Sequence, residues 1–331
     1  MAKFSYAIQL GDNTVIYKIG YGIILCEPSV LYIKNQGNKF KIEAVGKKAL
    51  GFEGKESNGC EIVRPIVDGM IVNKTYAVAM LNEFVKKIKE PFDILNCIYL
   101  YTVGLRKVEI NELVNILYSC NFRDVLPIPS CMAGLLQMDV DITSNYSSML
   151  VNLSNITEIS VVNNGELIDG CSIDIGVNSI DRAIKQYVYD KYNGGIISDS
   201  VAAEIRGEVA TLLANDVSRC NVSIGNADGF SVNEIVIESQ EIRGIITELC
   251  SKICGTILAF LNVLSPNVVD EIKRRGIFLC GELCEVTGIE RFFKSKLNLP
   301  VFANIEKDTI ILGGGILLNN PQLINEFVVK K

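Results

Sequence analysis

The side chains that could do chemistry in this chain are thiols, carboxylates and amides, because its 331 residues include 11 cysteines and no histidine. The absence of imidazole excludes Ser/His/Asp and Cys/His nucleophile systems, HExxH zinc proteases and any histidine general base. Four cysteines form two C-x3-C pairs, Cys250 with Cys254 and Cys280 with Cys284. Such pairs can bind zinc or an iron–sulfur cluster. Because free cysteine is also a common small core residue, we interpret these four as core and keep a metal site as the alternative.

The composition limits the class of protein. About half of the residues are hydrophobic (49%), a fifth are charged (21%), and the net charge is −6. This predicts a folded chain with a sizeable core, and the acidic balance argues against a nucleic-acid partner. Scattered cysteines, odd in number, indicate reduced thiols and a cytoplasmic location. The first ten residues lack a signal-peptide layout, and no stretch reaches roughly 18 uninterrupted apolar residues, so no membrane span is predicted.

Strand-like and helix-like segments alternate along the chain, which indicates an α/β fold. The patterns predict strands at 6–10, 15–19, 23–25, 29–33, 94–103, 124–128, 149–153, 159–162, 276–280 and 301–305. They predict helices from Asn73 to before Pro91 and at 109–120, 179–192, 202–215, 238–264, 288–297, 309–318 and 321–329. On the helix at 238–264 the predicted apolar face carries Ile242, Ile245, Leu249, Ile253, Ile257 and Leu261.

The pattern restarts after residues 139–148, a polar stretch suited to a linker. The strand–turn–strand unit around residues 9–14 (QLGDNT) aligns with residues 152–157 (NLSNIT) at an offset of 143 residues. This suggests two related halves, each opening with a β-hairpin. Because any α/β protein contains several such units, six positions alone do not decide the matter.

Longer segments carry a resemblance to a known family. Residues 22–30 (GIILCEPSV), 44–49 (AVGKKA), 64–71 (RPIVDGMI) and 80–81 (ML) are similar, in order and spacing, to segments of MreB, the bacterial cell-shape actin. The similarity extends thinly to the three glycines at 313–315, so it covers essentially the whole chain. The resemblance implies an α/β, two-lobed actin-like fold (ribonuclease-H-like and duplicated) with four subdomains.

The resemblance also implies the domain boundaries. The first lobe is expected at 1–147, with a small outer subdomain at about 33–75, and is completed by 312–331. The second lobe is expected at 148–311, with a small outer subdomain at about 181–240.

ATP with magnesium is the cofactor that the resemblance implies, bound in the cleft between the lobes. The phosphates would be held by two hairpin turns, made of Gly11, Asp12, Asn13 and Thr14 and of Ser154, Asn155, Ile156 and Thr157. The adenosine would be held by Ala203, Glu204, Ile205 and Arg206 and by Gly281, Glu282, Leu283 and Cys284. From the residues alone, Asp12 is equally an ordinary turn residue, and a solvated helix face is the favoured interpretation of Glu204 and Arg206.

The sequence departs from the family where the chemistry should be. Amides, Gln9 and Asn152, stand at the two aspartate positions, both turns are shorter, and Ile128 with Pro129 replaces the segment that carries the presumed catalytic glutamate. Losing glycines from a phosphate turn removes close backbone approach. Losing the carboxylate that orients water commonly costs about 10²–10⁴-fold in rate. We therefore expect no catalytic residue and no metal ligand, ATP hydrolysis that is weakened or lost, and doubtful ATP binding.

The expected function is that of an MreB-like filament subunit or filament partner in cell shape. It would associate with itself or co-assemble with a related actin, in the cytoplasm and with peripheral membrane contact left open. One alternative is an actin-fold ATPase with carboxylates relocated to Asp12 and Glu158. The other is a monomeric regulatory module.

Overall fold

The computed structural model describes residues 4–37, 39–91, 93–225 and 232–329. The chain divides into two compact units: unit 1 comprises Met1–Ile142 and Asp308–Lys331, and unit 2 comprises Thr143–Lys307. The expected lobe boundaries, after residues 147 and 311, and the limits of the outer subdomains stay predictions.

The elements follow in this order. The first run is β1 (Tyr6–Leu10), β2 (Asn13–Lys18), β3 (Gly22–Pro28), β4 (Leu31–Gln36), β5 (Lys39–Val45), α1 (Lys47–Leu50), β6 (Cys60–Val63), β7 (Ile66–Val67), β8 (Met70–Ile71), α2 (Lys74–Ile88), β9 (Asn96–Tyr101), α3 (Lys107–Ser119), β10 (Asp124–Pro129) and α4 (Ser130–Gln137). Unit 2 holds β11 (Ser148–Leu153), β12 (Thr157–Asn163), β13 (Glu166–Ile173), α5 (Val177–Lys191), α6 (Asp199–Val209), β14 (Arg219–Gly225), β15 (Val232–Glu238), α7 (Ser239–Val263), α8 (Pro266–Arg275), β16 (Ile277–Cys280), a 3₁₀ turn (Glu282–Glu285), α9 (Ile289–Leu297) and β17 (Val301–Ala303). Helices α10 (Thr309–Asn319) and α11 (Pro321–Val329) return to unit 1.

Each unit contains a five-stranded sheet of the same topology. The order is β3-β2-β1-β9-β10 in unit 1 and β13-β12-β11-β16-β17 in unit 2. In both sheets the first three strands pair antiparallel through hairpins and the last two join in parallel. The segments 9–14 and 152–157 form the equivalent hairpins, β1–β2 and β11–β12. The predicted internal repeat is therefore confirmed.

Smaller sheets accompany the two large ones. In unit 1, β4 pairs with β5 and β6 in a three-stranded sheet, and β7 pairs with β8. In unit 2, β14 and β15 form a two-stranded sheet. The sequence patterns missed β5 to β8 and β13 to β15, although β5 and β14 alternate exposed residues with more buried ones.

Helix α2 matches its prediction. The Asn73 side chain caps it by accepting a hydrogen bond from the Tyr76 N–H (3.1 Å), and the helix ends at Ile88, before Pro91. The buried residues are the predicted apolar ones, Ala77, Met80, Leu81, Phe84, Val85 and Ile88. The capping side chain and the 3.6-residue apolar repeat both indicate the same helix, so the sequence alone was enough to predict its start and its buried face.

The glycines at 313–315 serve close packing in unit 1. A methyl group added at Gly313 would overlap the carbonyl oxygen of Ala133 on α4, and one at Gly314 would lie 2.9 Å from the Ala7 side chain on β1. Helix α10 can therefore approach both elements only with glycine at these positions.

Two predicted helices of unit 2 differ from the structure. Helix α6 ends at Val209 rather than near residue 215, because Thr211 pairs with Thr287 and the Leu212 N–H donates to the Thr287 carbonyl (2.9 Å). The buried face of α7 is rotated from the predicted one. Ile246 and Cys250 are fully buried, whereas Ile245 and Leu249 only flank the core.

Helix α7 is the one helix of the described residues that is long and apolar enough, by length and composition, to cross a membrane. Its inward side chains, including Ile242, Ile246 and Ile257, lie in the hydrophobic core of unit 2. We interpret α7 as a core helix, which passes the same compositional test as a span.

Candidate functional site

The first predicted phosphate turn joins β1 to β2 in unit 1. The Gly11 N–H donates to the Asn13 carbonyl (3.1 Å), and the Asp12 carbonyl accepts from the Ser29 N–H (2.7 Å). Thr14 is buried, with its hydroxyl 2.9 Å from that of Ser29. The turn is thus tied to the segment that follows β3, and Asn13 alone of the four is exposed.

Asp12 is held by a second turn of unit 1. Its Oδ1 accepts a hydrogen bond from the Asp68 N–H (2.9 Å). Asp68 and Gly69 have positive φ (51° and 76°) and form the two-residue turn between β7 and β8, the conformation that Asp-Gly favours in hairpins. The 64–71 segment therefore delivers a backbone donor to Asp12. Sequence reasoning missed this contact because the partners lie 56 residues apart.

The second predicted phosphate turn joins β11 to β12 in unit 2. The Ser154 N–H donates to the Ile156 carbonyl (3.2 Å), and the Ser154 carbonyl accepts from the Val177 N–H at the start of α5 (2.9 Å). Thr157 is buried, and its hydroxyl donates to the Ile175 carbonyl (2.6 Å). A methyl group added at Gly176 would overlap the carbonyls of Ser154 and Asn155, so the turn packs directly on the chain entering α5.

The amide at the second aspartate position is fully engaged within unit 2. The Asn152 side chain is 3% exposed; its Nδ2 donates to Glu158 Oε1 (2.8 Å) and its Oδ1 accepts from the Ser154 hydroxyl (2.9 Å). The Cys280 thiol lies 3.7 Å from the same Oδ1. Because both ends of the amide have protein partners, Asn152 is a structural group of the turn.

The two carboxylates of the alternative with relocated catalytic groups each accept a hydrogen bond from their own unit. Glu158 is 6% exposed and accepts from Asn152, while Asp12 accepts from the Asp68 backbone. The Ile128 side chain, in the segment that the resemblance matched to the presumed catalytic glutamate, is completely buried.

The first predicted adenosine segment lies on α6. Ala203 is half-buried, Glu204 is exposed, and Ile205 is fully buried in the core of unit 2. Arg206 is 6% exposed, so it does not lie on the solvated helix face that the sequence favoured. Its Nε donates to Asp181 Oδ1 on α5 (2.7 Å) and its Nη2 donates to Glu282 Oε1 (2.6 Å).

The second predicted adenosine segment is the 3₁₀ turn and the glycine before it. Gly281 has positive φ (97°), and a methyl group added to it would lie 2.6 Å from Asn152 Oδ1. Leu283 and Cys284 are buried in the unit 2 core, so only Glu282 extends a partly exposed side chain from this segment. The resemblance implied one adenosine site for Arg206 and Glu282, and in the structure an ion pair joins their side chains.

The Arg206 cluster sets one guanidinium against two carboxylates. Burial raises the pKa of the Asp181 carboxyl, and the guanidinium of Arg206 opposes that rise. The pKa of Arg206 stays above its ordinary value because the hydrogen bond to Asp181 and the charge of Glu282 outweigh its burial. Asp181 was not a sequence candidate, since nothing in its linear context marks it as a partner of α6.

The four cysteines of the two C-x3-C pairs are buried. Among residues 4–37, 39–91, 93–225 and 232–329, no group of three or more His, Cys, Asp or Glu side chains is arranged to hold a metal ion. Burial raises the pKa of Cys250, Cys254 and Cys284 to about 12, which keeps these thiols protonated. The core interpretation therefore accounts for these cysteines.

The residues at the two turns differ from the pair of aspartates that the family resemblance implies for a hydrated magnesium ion. The donor set in unit 2 is an amide already bound at both ends, and the first turn offers Asp12, which is tied to Asp68. A carboxylate is the usual protein ligand of Mg²⁺. No chemical step can be assigned to such an ion in either unit.

Comparisons with known proteins give one consistent result. The family model described as MreB/Mbl protein matches residues 3–326. The cell shape-determining protein MreB of Escherichia coli (strain K12) is 27% identical over 325 residues, covering 93% of this chain and 91% of that protein. The cell shape-determining protein Mbl of Bacillus subtilis (strain 168) is 26% identical over 321 residues, covering 95% of each.

Solved structures show the same fold. MreB5 of Spiroplasma citri, in a crystal structure bound to ADP, matches with a TM-score of 0.86 at 21% identity, covering 98% of this chain and 99% of the other. A MamK double helical filament matches with a TM-score of 0.77 at 15% identity, covering 95% of this chain and 98% of the other.

Proposed function

We propose that this chain, which belongs to the MreB/Mbl family, is an actin-like filament subunit that contributes to cell shape and has weakened or lost ATP hydrolysis. The family match from residue 3 to residue 326 supports the filament role, because it includes both units and both hairpin turns. Two relatives of this chain are cell shape-determining proteins, and one structural neighbour, MamK, was solved as a double helical filament.

The state of Asn152 is the observation that carries the loss of hydrolysis. Its amide stands where the family has an aspartate, and its two polar atoms are bound by Glu158 and Ser154. A bound amide supplies neither a full negative charge nor a free oxygen for a metal-held nucleotide. We propose that ATP, where it binds, is held through backbone groups of the turns and turned over slowly.

The partner proposed for the chain is a second copy of itself or a related actin, in the cytoplasm. No nucleic-acid partner is proposed, since the chain is acidic, with a net charge of −6. The membrane contact included in this proposal is peripheral and made by an exposed loop of the filament subunit.

Sedimentation of the purified chain tests the function. Filaments that pellet equally with no nucleotide, with ADP and with ATP plus magnesium are the expected result. Assembly that requires ATP would favour an active ATPase. A chain that stays in the supernatant at every concentration would favour a monomeric regulatory module and contradict the proposal.

A further inference from the structure

One guanidinium joins three elements of unit 2. Arg206 on α6 donates through Nε to Asp181 on α5 and through Nη2 to Glu282 on the 3₁₀ turn, at 2.7 and 2.6 Å. The Arg206 side chain is 6% exposed, and those of Asp181 and Glu282 are 15% and 35% exposed. Charge-assisted hydrogen bonds of this length are the stronger class, and water screens this pair of bonds only in part.

The same cluster is continuous with the second hairpin turn. Gly281, next to Glu282, packs against the side chain of Asn152, whose Oδ1 accepts a hydrogen bond from the Ser154 hydroxyl. The Ser154 carbonyl accepts from Val177, the first residue of the helix that carries Asp181. The contacts therefore close a ring through the turn, α5, α6, the 3₁₀ turn and β11.

We propose that the Arg206–Glu282 ion pair replaces a bound nucleotide as the link between α6 and the 3₁₀ turn, so that this half of the site is ordered without ligand. The inference rests on the proposed family role in one respect, namely on the expectation from the resemblance that these two segments are the adenosine-binding elements. In this chain they are held together by their own side chains, and Glu282 is the residue that makes the link.

The charges explain why this link opposes ligand binding. Two carboxylates surround one guanidinium, so the cluster carries a net negative charge before a polyanion arrives. A nucleotide that used Arg206 would have to separate it from Glu282 and leave that carboxylate without its partner. Because the ion pair already orders α6 and the 3₁₀ turn, ligand binding cannot be the event that orders them.

Hydrogen exchange of the nucleotide-free chain tests the link. In Glu282→Ala, Arg206 keeps Asp181, so the unit is expected to fold, and the amides of α6 should exchange about tenfold faster than in the unaltered chain because one charged hydrogen bond is lost. The matched control is Glu285→Ala in the same 3₁₀ turn. Glu285 pairs only with Lys307 among the ion pairs of the described residues (3.0 Å), and its side chain is 39% exposed, so exchange in α6 should not change.

A second variant keeps the test valid should Glu282→Ala fail to fold. Arg206→Lys retains the charge but cannot reach both carboxylates as a fork, and exchange in α6 should again rise about tenfold. Unchanged α6 exchange in the two cluster variants, or an equal rise in the Glu285→Ala control, would overturn the inference. Because the measurement reads neither filaments nor hydrolysis, its failure would leave the sedimentation result, and the proposed function, standing.

Discussion

Restoring the family's aspartate in the second turn should destabilise this chain. In Asn152→Asp the donor to Glu158 is lost, and two carboxyl groups face each other where Asn152 Nδ2 and Glu158 Oε1 are now 2.8 Å apart. Both positions are at most 6% exposed, so the repulsion is poorly screened. Carboxyl pairs that share a site typically have pKa values separated by about 3 units, and each unit corresponds to about 1.4 kcal/mol. We expect a loss of about 2–4 kcal/mol in the free energy of unfolding at pH 7.5.

The sign of the pH dependence distinguishes this cause from simple misfit. One carboxyl of the pair has a raised pKa in the folded protein, so above about pH 4 the folded state binds more protons than the unfolded state. The penalty should therefore shrink as the pH falls from 7.5 to 5. Urea unfolding of the variant and the unaltered chain at both values measures it, with the exposed Asn221→Asp on β14 as the control for an added charge. A difference below about 0.5 kcal/mol at pH 7.5, or one that does not vary with pH, would refute the assigned role of Asn152.

Two further predictions concern the packing and the electrostatics of unit 1, and a glycine of unit 2 supplies the control for the first. Gly313→Ala should lower the free energy of unfolding by about 3 kcal/mol or more, because the added methyl overlaps the Ala133 carbonyl. The control, Gly207→Ala on α6, has open space around the added methyl and should raise the free energy of unfolding by about 0.5–1 kcal/mol. Thermal melting compares the two variants, and equal melting temperatures would contradict the packing argument. Asp93→Asn should cost about 1–3 kcal/mol at pH 7, because Asp93 accepts from the Tyr6 hydroxyl (2.8 Å) and the Lys18 ammonium (3.1 Å). The Tyr6 hydrogen bond and Lys18 hold the pKa of Asp93 below its ordinary value, so its stabilising contribution is complete well above the unfolded pKa and decreases as the pH falls toward the lower folded value. Urea unfolding should therefore show a smaller difference between the variant and the unaltered chain at pH 3 than at pH 7, and a constant difference would count against the assigned role of Asp93.

The sequence was informative where a local rule and the tertiary structure agree. The capped helix after Asn73 and the repeated hairpins follow from local rules, namely side-chain capping and turn chemistry. The phase of α7 was wrong because isoleucine, leucine and cysteine are distributed all round that helix, so that only packing selects Ile246 and Cys250. The end of α6 was wrong because pairing between Thr211 and Thr287 overrides a helical pattern.

At the site, residue types were predictable and their partners were not. The sequence identified the amide at position 152 and the charged residues Arg206 and Glu282 as candidates. It could not show that Glu158 and Ser154 occupy the amide, or that Asp181 completes the ion pair, since these partners are brought together by sheet pairing and helix packing. Arg206 was interpreted as solvated because its helix position alone does not reveal two carboxylates from other elements.

Phosphate release from ATP by the assembled chain tests the central claim most directly. The measurement is made with magnesium, on pelleted and supernatant fractions, beside a member of the family that hydrolyses ATP. The account predicts that filaments form and that their rate lies at least about 10²-fold below that of the active relative, as expected when the groups that orient water are missing. A rate equal to the relative's, retained through purification and proportional to the amount of this chain, would contradict it.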